Sequence, residues 1–271
     1  MGVPGRPAVQ SPLELAHEPS RPGLASSLAL SFEHVSKVFP DGTQAVDDVT
    51  FDVQPREMVA IVGPSGCGKS TLLRLASKLT EPTAGEIRVG NGHGPLGYVF
   101  QEPTLLPWRT VQRNVELLAE LAGVSAQERA QRAMQAIRLT GLSGFEKHRP
   151  RALSGGMRMR VSLARALTMR PRIFLFDEPF GALDEITRER LNTELLGLFE
   201  REGFAGLFVT HSVGEAAFMA SRVLVMSPRP GRIVAEIAIP FAYPRPPELR
   251  FDPHFAAVAG QISAALREKL G

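Results

Sequence analysis

The chain has 271 residues, 44% hydrophobic and 22% charged, a globular balance long enough for one substantial core or two lobes sharing one. Its 31 basic and 28 acidic residues leave a net charge of +3 and are interspersed, so the blocks of like charge expected of a nucleic-acid-binding surface are absent. A single cysteine excludes an internal disulfide framework and a multi-cysteine zinc site, and no run of roughly 18 apolar residues is present to span a bilayer.

Residues 1–27 read as a flexible tail. Pro4, Pro7, Pro12, Pro19 and Pro22 break it, and Glu14 and Glu18 interrupt the apolar core a signal peptide would need. Folding signals start near Leu28. Leu28–Phe32 and Val46–Val53 alternate as half-buried strands do, with Asp41-Gly42 at a turn between them. Met58–Val62 is a short, β-branched apolar run, a buried strand, followed by glycines and a helix over Ser70–Leu79. Between about 104 and 170 the pattern is helical: Val111–Ala122, then Ser125–Leu139 with Ser125 as its cap. Buried strands return at Arg172–Asp177, Gly206–Thr210 and Arg222–Met226, separated by helices at about 185–202 and 213–220. The alternation predicts a mainly parallel sheet covered by helices, with a helical insertion. Pro240, Pro244, Pro246 and Pro247 mark a linker into a C-terminal extension over 241–271. There Phe255, Val258, Ala259, Ile262, Leu266 and Leu270 form one helical stripe.

The stretch Gly63-Pro64-Ser65-Gly66-Cys67-Gly68-Lys69-Ser70-Thr71 fits G-x-x-x-x-G-K-[ST], between a predicted strand and a predicted helix. Glycines let successive N–H groups turn inward around a phosphate, and the following helix offers its unpaired N–H groups and positive dipole end. Lys69 would reach the β- and γ-phosphates of a nucleotide and Ser70 would ligate Mg²⁺. Cys67 serves there as a small residue whose alkylation would block the nucleotide. At the end of a second buried strand, Asp177 and Glu178 supply two carboxylates, one for Mg²⁺ and one to polarise an attacking water. Adjacent strand residues point to opposite faces, so Glu178 is expected to point away from Asp177.

A third motif separates this chain from other phosphate-loop proteins. Leu153-Ser-Gly-Gly-Met157 precedes a helix over Arg158–Thr168, upstream of the acidic strand. With it the sequence resembles the ATP-binding subunits of ABC transporters over about residues 28–240. Gln101, after Tyr98-Val-Phe, matches the Q-loop; Gly181-Ala-Leu-Asp184 matches the D-loop; His211 matches the switch histidine. The resemblance implies a P-loop NTPase core with an antiparallel β lobe and an inserted helical subdomain. It also implies ATP and Mg²⁺ as ligands, and a head-to-tail homodimer. Each ATP would lie between the 63–71 loop of one copy and Ser154-Gly155-Gly156 of the other, with Asp184 crossing the interface. Phe39 takes the place of the aromatic that stacks on adenine, with ordinary strand-end core as its competing role. Gln101 would contact Mg²⁺ and the attacking water, and His211 the γ-phosphate. Glu178, His211, Lys69 and Gln101 are the catalytic set, and Ser70, Gln101 and Asp177 the metal set. Met157 and Met159 stand where glutamines are common, and Met157 is expected to weaken a polar contact at the dimer interface. Arg158 and Arg160 read as surface charges.

Within the family, Leu153–Met157, Asp177–Asp184 and Ser227-Pro-Arg-Pro-Gly-Arg-Ile233 look like the importers of nitrate, sulfonates and taurine, and next to them those of riboflavin or thiamine-precursor pyrimidines. That branch implies separate transmembrane permease subunits and, indirectly, a periplasmic or extracellular solute-binding protein. It places the chain as a peripheral subunit on the cytoplasmic face of the inner (plasma) membrane. Pro103–Trp108 offers an apolar patch for a membrane partner, with Trp108 as anchor or, equally, as local core. A non-transport ABC ATPase of translation or DNA repair would carry two such domains or a long coiled coil, and a metabolite kinase has no use for Ser154-Gly-Gly156.

Overall fold

The computed structural model describes residues 28–90 and 95–268; the tail expected over 1–27 and the Leu270 end of the last stripe lie outside the described residues. Period-two alternation makes β1 (Leu30–Val38) and β2 (Gln44–Val53) an antiparallel hairpin, registered from Leu30 opposite Val53 to Val38 opposite Gln44. The free edge of β1 takes β4 (Ala84–Val89), giving a three-stranded antiparallel lobe in the order β2-β1-β4.

The second sheet runs β5-β6-β7-β3-β8-β9, built from β3 (Met58–Val62), β5 (Leu96–Val99), β6 (Ile173–Asp177), β7 (Ala205–Thr210), β8 (Arg222–Met226) and β9 (Ile233–Ala238). All pairs are parallel except β8 with β9. Every residue of β3 and β7 is buried, as a strand covered on both faces must be. Alternation then sorts β3 between two cores: Met58, Ala60 and Val62 face one cluster, Val59 and Ile61 the other. β4, β5 and β9 carried no clear sequence signal, because all three are short sheet-edge strands whose side chains stay partly in water.

The helices are α1 (Lys69–Ala76), α2 (Val111–Val115), α3 (Leu117–Leu121), α4 (Ala126–Leu139), α5 (Gly155–Leu167), α6 (Glu185–Glu202), α7 (Val213–Met219) and α8 (Pro253–Glu268). The single helix expected over Val111–Ala122 is two, meeting at Glu116, whose backbone stays helical at φ −64° and ψ −20°. Hydroxyl or carboxylate side chains cap five starts: Thr110, Ser125, Ser154, Asp184 and Ser212 each accept from the N–H three residues on. The helices at 111–167 share a separate core around Val111, Ile137, Leu153 and Val161.

The proline-marked linker is not loose. Arg245, 3% exposed, donates to the carbonyls of Ala217, Phe218 and Ala220 at the end of α7 and to that of Phe241, and Tyr243 donates its hydroxyl to Met219 O at 2.7 Å. A guanidinium here satisfies the orphan carbonyls of a helix C-terminus, which a proline count does not reveal. Beyond it, Phe255, Val258 and Ile262 of α8 join the main core.

Arg222 of β8 ties the two sheets together. With 14% of its side chain exposed, it pairs with Glu57 (2.7 Å), Glu236 (3.0 Å) and Asp52 (3.3 Å). Arg222→Met leaves the mostly buried Glu57 without its cation, while Asp52 and Glu236 keep contact with water, and should lower the unfolding free energy by about 1–3 kcal/mol in urea denaturation. A loss under about 0.5 kcal/mol would mean that water already screens these pairs.

Candidate active site

Between the end of β3 and the start of α1 the chain wraps back on itself through Gly66 (φ 74°) and Gly68 (φ 112°), a left-handed region open to glycine. Gly68 is also pressed against the antiparallel lobe, where a Cβ would come within 2.6 Å of Ala45 O. The loop ends on Lys69, whose side chain is 5% exposed and whose ammonium donates to Gly63 O and Pro64 O, both at 2.9 Å. The lysine is thus aimed into the centre of the loop, with Pro64, Ser65 and Gly66 on its open side and Ser70 and Thr71 in the first turn of α1. From the other side Arg229, in the turn between β8 and β9, donates to Gly66 O at 2.9 and 3.1 Å.

β6 delivers the carboxylates to this loop. Asp177 Oδ1 accepts from the Ser70 hydroxyl at 2.7 Å, and Asp177 Oδ2 from the Tyr98 hydroxyl of β5 at 3.1 Å. Burial and the neighbouring Asp177 charge push the Tyr98 phenol well above its ordinary range, so it stays a donor. Glu178 does not point away as strand alternation predicts. It leaves the strand with φ 46°, its N–H bonded to Val209 O at 3.0 Å, and this left-handed turn swings its carboxylate to 4.0 Å from Lys69 Nζ. A bulky residue held in that conformation is locally strained, which fits a side chain whose place is fixed by function. His211, directly after β7, brings Nδ1 to 3.1 Å from Glu178 Oε2. Gln101 completes the group: a Cβ on Gly181 would lie 3.6 Å from both Gln101 Nε2 and Glu178 Oε2.

Ser154, Gly155 and Gly156 form a second locus. Ser154 is exposed and caps α5, accepting from Met157 N at 3.2 Å; the helix starts at Gly155, three residues before the predicted Arg158. The glycines let α5 pack against the D-loop and α6, since Cβ atoms would sit 3.1 Å from Leu183 and from Thr187. Asp184, exposed, caps α6 beside them, and the Thr187 N–H bond holds its carboxyl below the usual carboxylate range. Met157 is partly buried against the core of the helices, and Met159 is buried. Arg160 is not a plain surface charge, for its guanidinium spans α5 and α6 to Glu194 at 2.7 Å with 16% of the side chain exposed. Phe39 lies half-exposed at the hairpin after β1 with Lys37 Nζ 5.5 Å from its ring centre. The next residues of that hairpin reach toward Arg229, whose charge helps hold the Asp41 carboxyl below its usual range after the larger effect of Thr43. Trp108 is 69% exposed, which removes its alternative role as local core.

The sequence does not mark Tyr98 or Arg229 as site residues. Tyr98 stands two places before Phe100 on an edge strand, and Arg229 sits among prolines; neither has a spacing that ties it to the loop. The hydroxyl of Ser70 and the carboxylate of Asp177 are hard oxygen donors that suit Mg²⁺. No group of three or more His, Cys, Asp or Glu is gathered among the described residues, so the donor set suits a cation completed by phosphate and water.

Cys67 is 1% exposed beneath the loop, and burial pushes its thiol up from the ordinary range even with Lys69 nearby. Alkylation that would block the loop is therefore itself blocked in the folded chain. Iodoacetamide at pH 7.5 should leave the native protein unlabelled and modify Cys67 as fast as the chain unfolds; labelling at the rate of a free thiol would contradict this burial.

Comparison with known proteins agrees with this geometry. A family model described as ABC transporter matches residues 46–181. A Brucella abortus ATP-binding protein is 42% identical over 86% of this chain and 91% of its own length. The taurine import ATP-binding protein TauB of Yersinia pestis is 45% identical over 74% of this chain and 80% of its own. Among solved structures, the dimeric ATP-binding cassette MJ0796 bound to ADP and Pi superposes with a TM-score of 0.68 at 32% identity, over 79% of this chain and all of that one. With a family model over half its length and relatives this similar across most of it, the chain belongs to the ABC transporter ATP-binding family and is an ATP-hydrolysing cassette.

Proposed function

We propose that this ATPase drives an importer for a small solute of the nitrate, sulfonate or taurine kind, as a head-to-tail homodimer bound to separate transmembrane permease subunits. One observation carries the reading: the loops that follow β3, β6 and β7 bring Lys69 and His211 to 4.0 and 3.1 Å from Glu178, with Ser70 2.7 Å from the adjacent Asp177. The 45% identity to a taurine importer's ATP-binding protein supports the branch. The dimer formed by the similar cassette MJ0796 supports the pairing of two copies. In this reading the chain sits peripherally on the cytoplasmic face of the membrane, and a solute-binding protein outside selects the cargo. Among the described residues no helix is long and apolar enough to cross a membrane.

The roles follow from the chemistry of the side chains. The backbone N–H groups of Gly63–Thr71 cradle the triphosphate, Lys69 bonds its β- and γ-oxygens, and Phe39 stacks on the adenine. Ser70, Asp177 and Gln101 would hold a Mg²⁺ ion, which would supply positive charge against the phosphate oxygens. Glu178 accepts a proton from the attacking water while His211 bonds the γ-phosphate and keeps Glu178 in place. Ser154, Gly155 and Gly156 of the second copy close over the same γ-phosphate, and Asp184 reaches across the interface. Closure is favoured because ATP binds the paired state more tightly than the open one. Gln101 and the exposed segment to Trp108 then pass that movement to a permease.

Glu178→Gln should lower kcat by about 10²-fold or more and leave an ATP-dependent dimer visible by light scattering. Rapid turnover would remove Glu178 as the base. Lys69→Ala should lose nucleotide binding in the same assay. Trp108→Ala should keep ATPase activity in the isolated chain while weakening its retention by a co-expressed permease in detergent; unaltered retention would remove the anchor.

A further inference from the structure

Behind His211 lies a buried polar cluster that the chemistry above does not use. The Thr210 hydroxyl donates to Glu215, accepts the N–H of Ser212 at 3.0 Å, and the Glu215 N–H donates to Ser212 Oγ at 3.3 Å. The turn that carries His211 is therefore fastened from beneath by one carboxylate, 7% exposed, on the first turn of α7. Its other oxygen, Oε1, has no hydrogen bond.

Packed on the same helix is Arg250, from the short 3-10 turn Pro247–Phe251 that precedes α8. The guanidinium lies 3.4 Å from the ring centre of Phe218 and its Nε is 3.7 Å from Glu189 of α6, yet Nη1 and Nη2 are buried without a partner. Asn192 Oδ1 and Arg188 Nε, both on α6, are unpartnered too. Five of the seven buried side-chain polar atoms without a partner among the described residues thus fall in one place, where α6, α7 and the C-terminal turn meet. Buried polar groups are paired almost everywhere in folded chains, so a knot of complementary donors and acceptors points to a constraint beyond packing. Burial pushes the Glu215 carboxyl up, and Thr210, then Asn192, Arg188 and His211, act against it. Burial lowers Arg250, and Glu189 and Glu215 act against that.

We propose that Glu215 and Arg250 are positioning residues for ATP hydrolysis. Arg250, seated on Phe218 of α7 and beside Glu189 of α6, holds the helix that carries Glu215, whose bond to Thr210 fixes the turn that aims His211 at Glu178. The C-terminal turn thereby sets the geometry of a site to which it contributes no contact, and α6, which Asp184 caps, shares the same cluster. This rests on the reading that His211 acts at the γ-phosphate.

The test compares Arg250→Met, which keeps an unbranched chain on Phe218 but removes the charge, with Arg250→Lys, Glu215→Gln and His211→Ala in steady-state ATPase assays. The ring signals of His211, His34 and His148 are followed by NMR in the same variants. Misplacement of a reacting group should cost about tenfold in kcat for Arg250→Met and Glu215→Gln, with KM for ATP inside about twofold, partial recovery in Arg250→Lys, and a displaced His211 signal beside unmoved His34 and His148. If His211→Ala is inactive while Arg250→Met and Glu215→Gln keep wild-type kcat, or lose it with the His211 signal unmoved, the positioning role is overturned. If His211→Ala itself keeps wild-type kcat, the assignment of His211 fails instead, whatever the other variants do.

Discussion

Lys69 governs the arrangement. An ammonium that is 5% exposed must be matched by carbonyls and charge, and the match requires the glycine loop on one side and Glu178 on the other. The loop can close around it because Gly66 and Gly68 take left-handed backbone angles and because Ala45, Met226 and Arg229 brace it from outside. Glu178 can reach it because the chain turns left-handed as it leaves β6. The parallel order β6-β7-β3 places the ends of those three strands side by side. Ligands gather at such strand ends in open α/β sheets for the same reason: each loop delivers its side chains to one crevice.

From that contact the molecule divides into parts with separate duties. The antiparallel lobe carries Phe39 and presses on Gly68; the helices at 111–167 carry Ser154 to the tip of α5, against the D-loop. The packing of Gly155 and Gly156 on Leu183 and Thr187 sets the Ser154 end of α5 directly against the D-loop and the start of α6. The C-terminal segment enters the same core through Arg245 and α8. It is built into the fold behind the His211 turn rather than hung from it.

Much of this was legible in the residues. The buried strands at Met58–Val62, Ile173–Asp177 and Gly206–Thr210 announce themselves by continuous apolar runs, and the loop at 63–71 by a spacing that only an anion-binding turn requires. Edge strands such as β4 and β9 stay silent because half their side chains remain in water. Glu178 misleads a period-two reading because the strand ends one residue before it. The prolines at 240–247 suggest a tether, whereas the arginine among them, Arg245, is what pins the segment down. Tyr98 and Arg229 act through contacts distant in sequence, 79 residues apart for Tyr98 and Asp177 and 163 for Arg229 and Gly66, which local pattern cannot register.

The central claim, that a complete site takes its phosphate loop from one copy and its serine-glycine turn from another, is tested most directly by complementation. Lys69→Ala and Ser154→Arg chains are each expected to be inactive alone. Mixed in equal amounts with ATP and Mg²⁺, they should regain a substantial part of the wild-type rate, because one site of the mixed pair unites an intact loop with an intact turn. A mixture no more active than its separate components would contradict it.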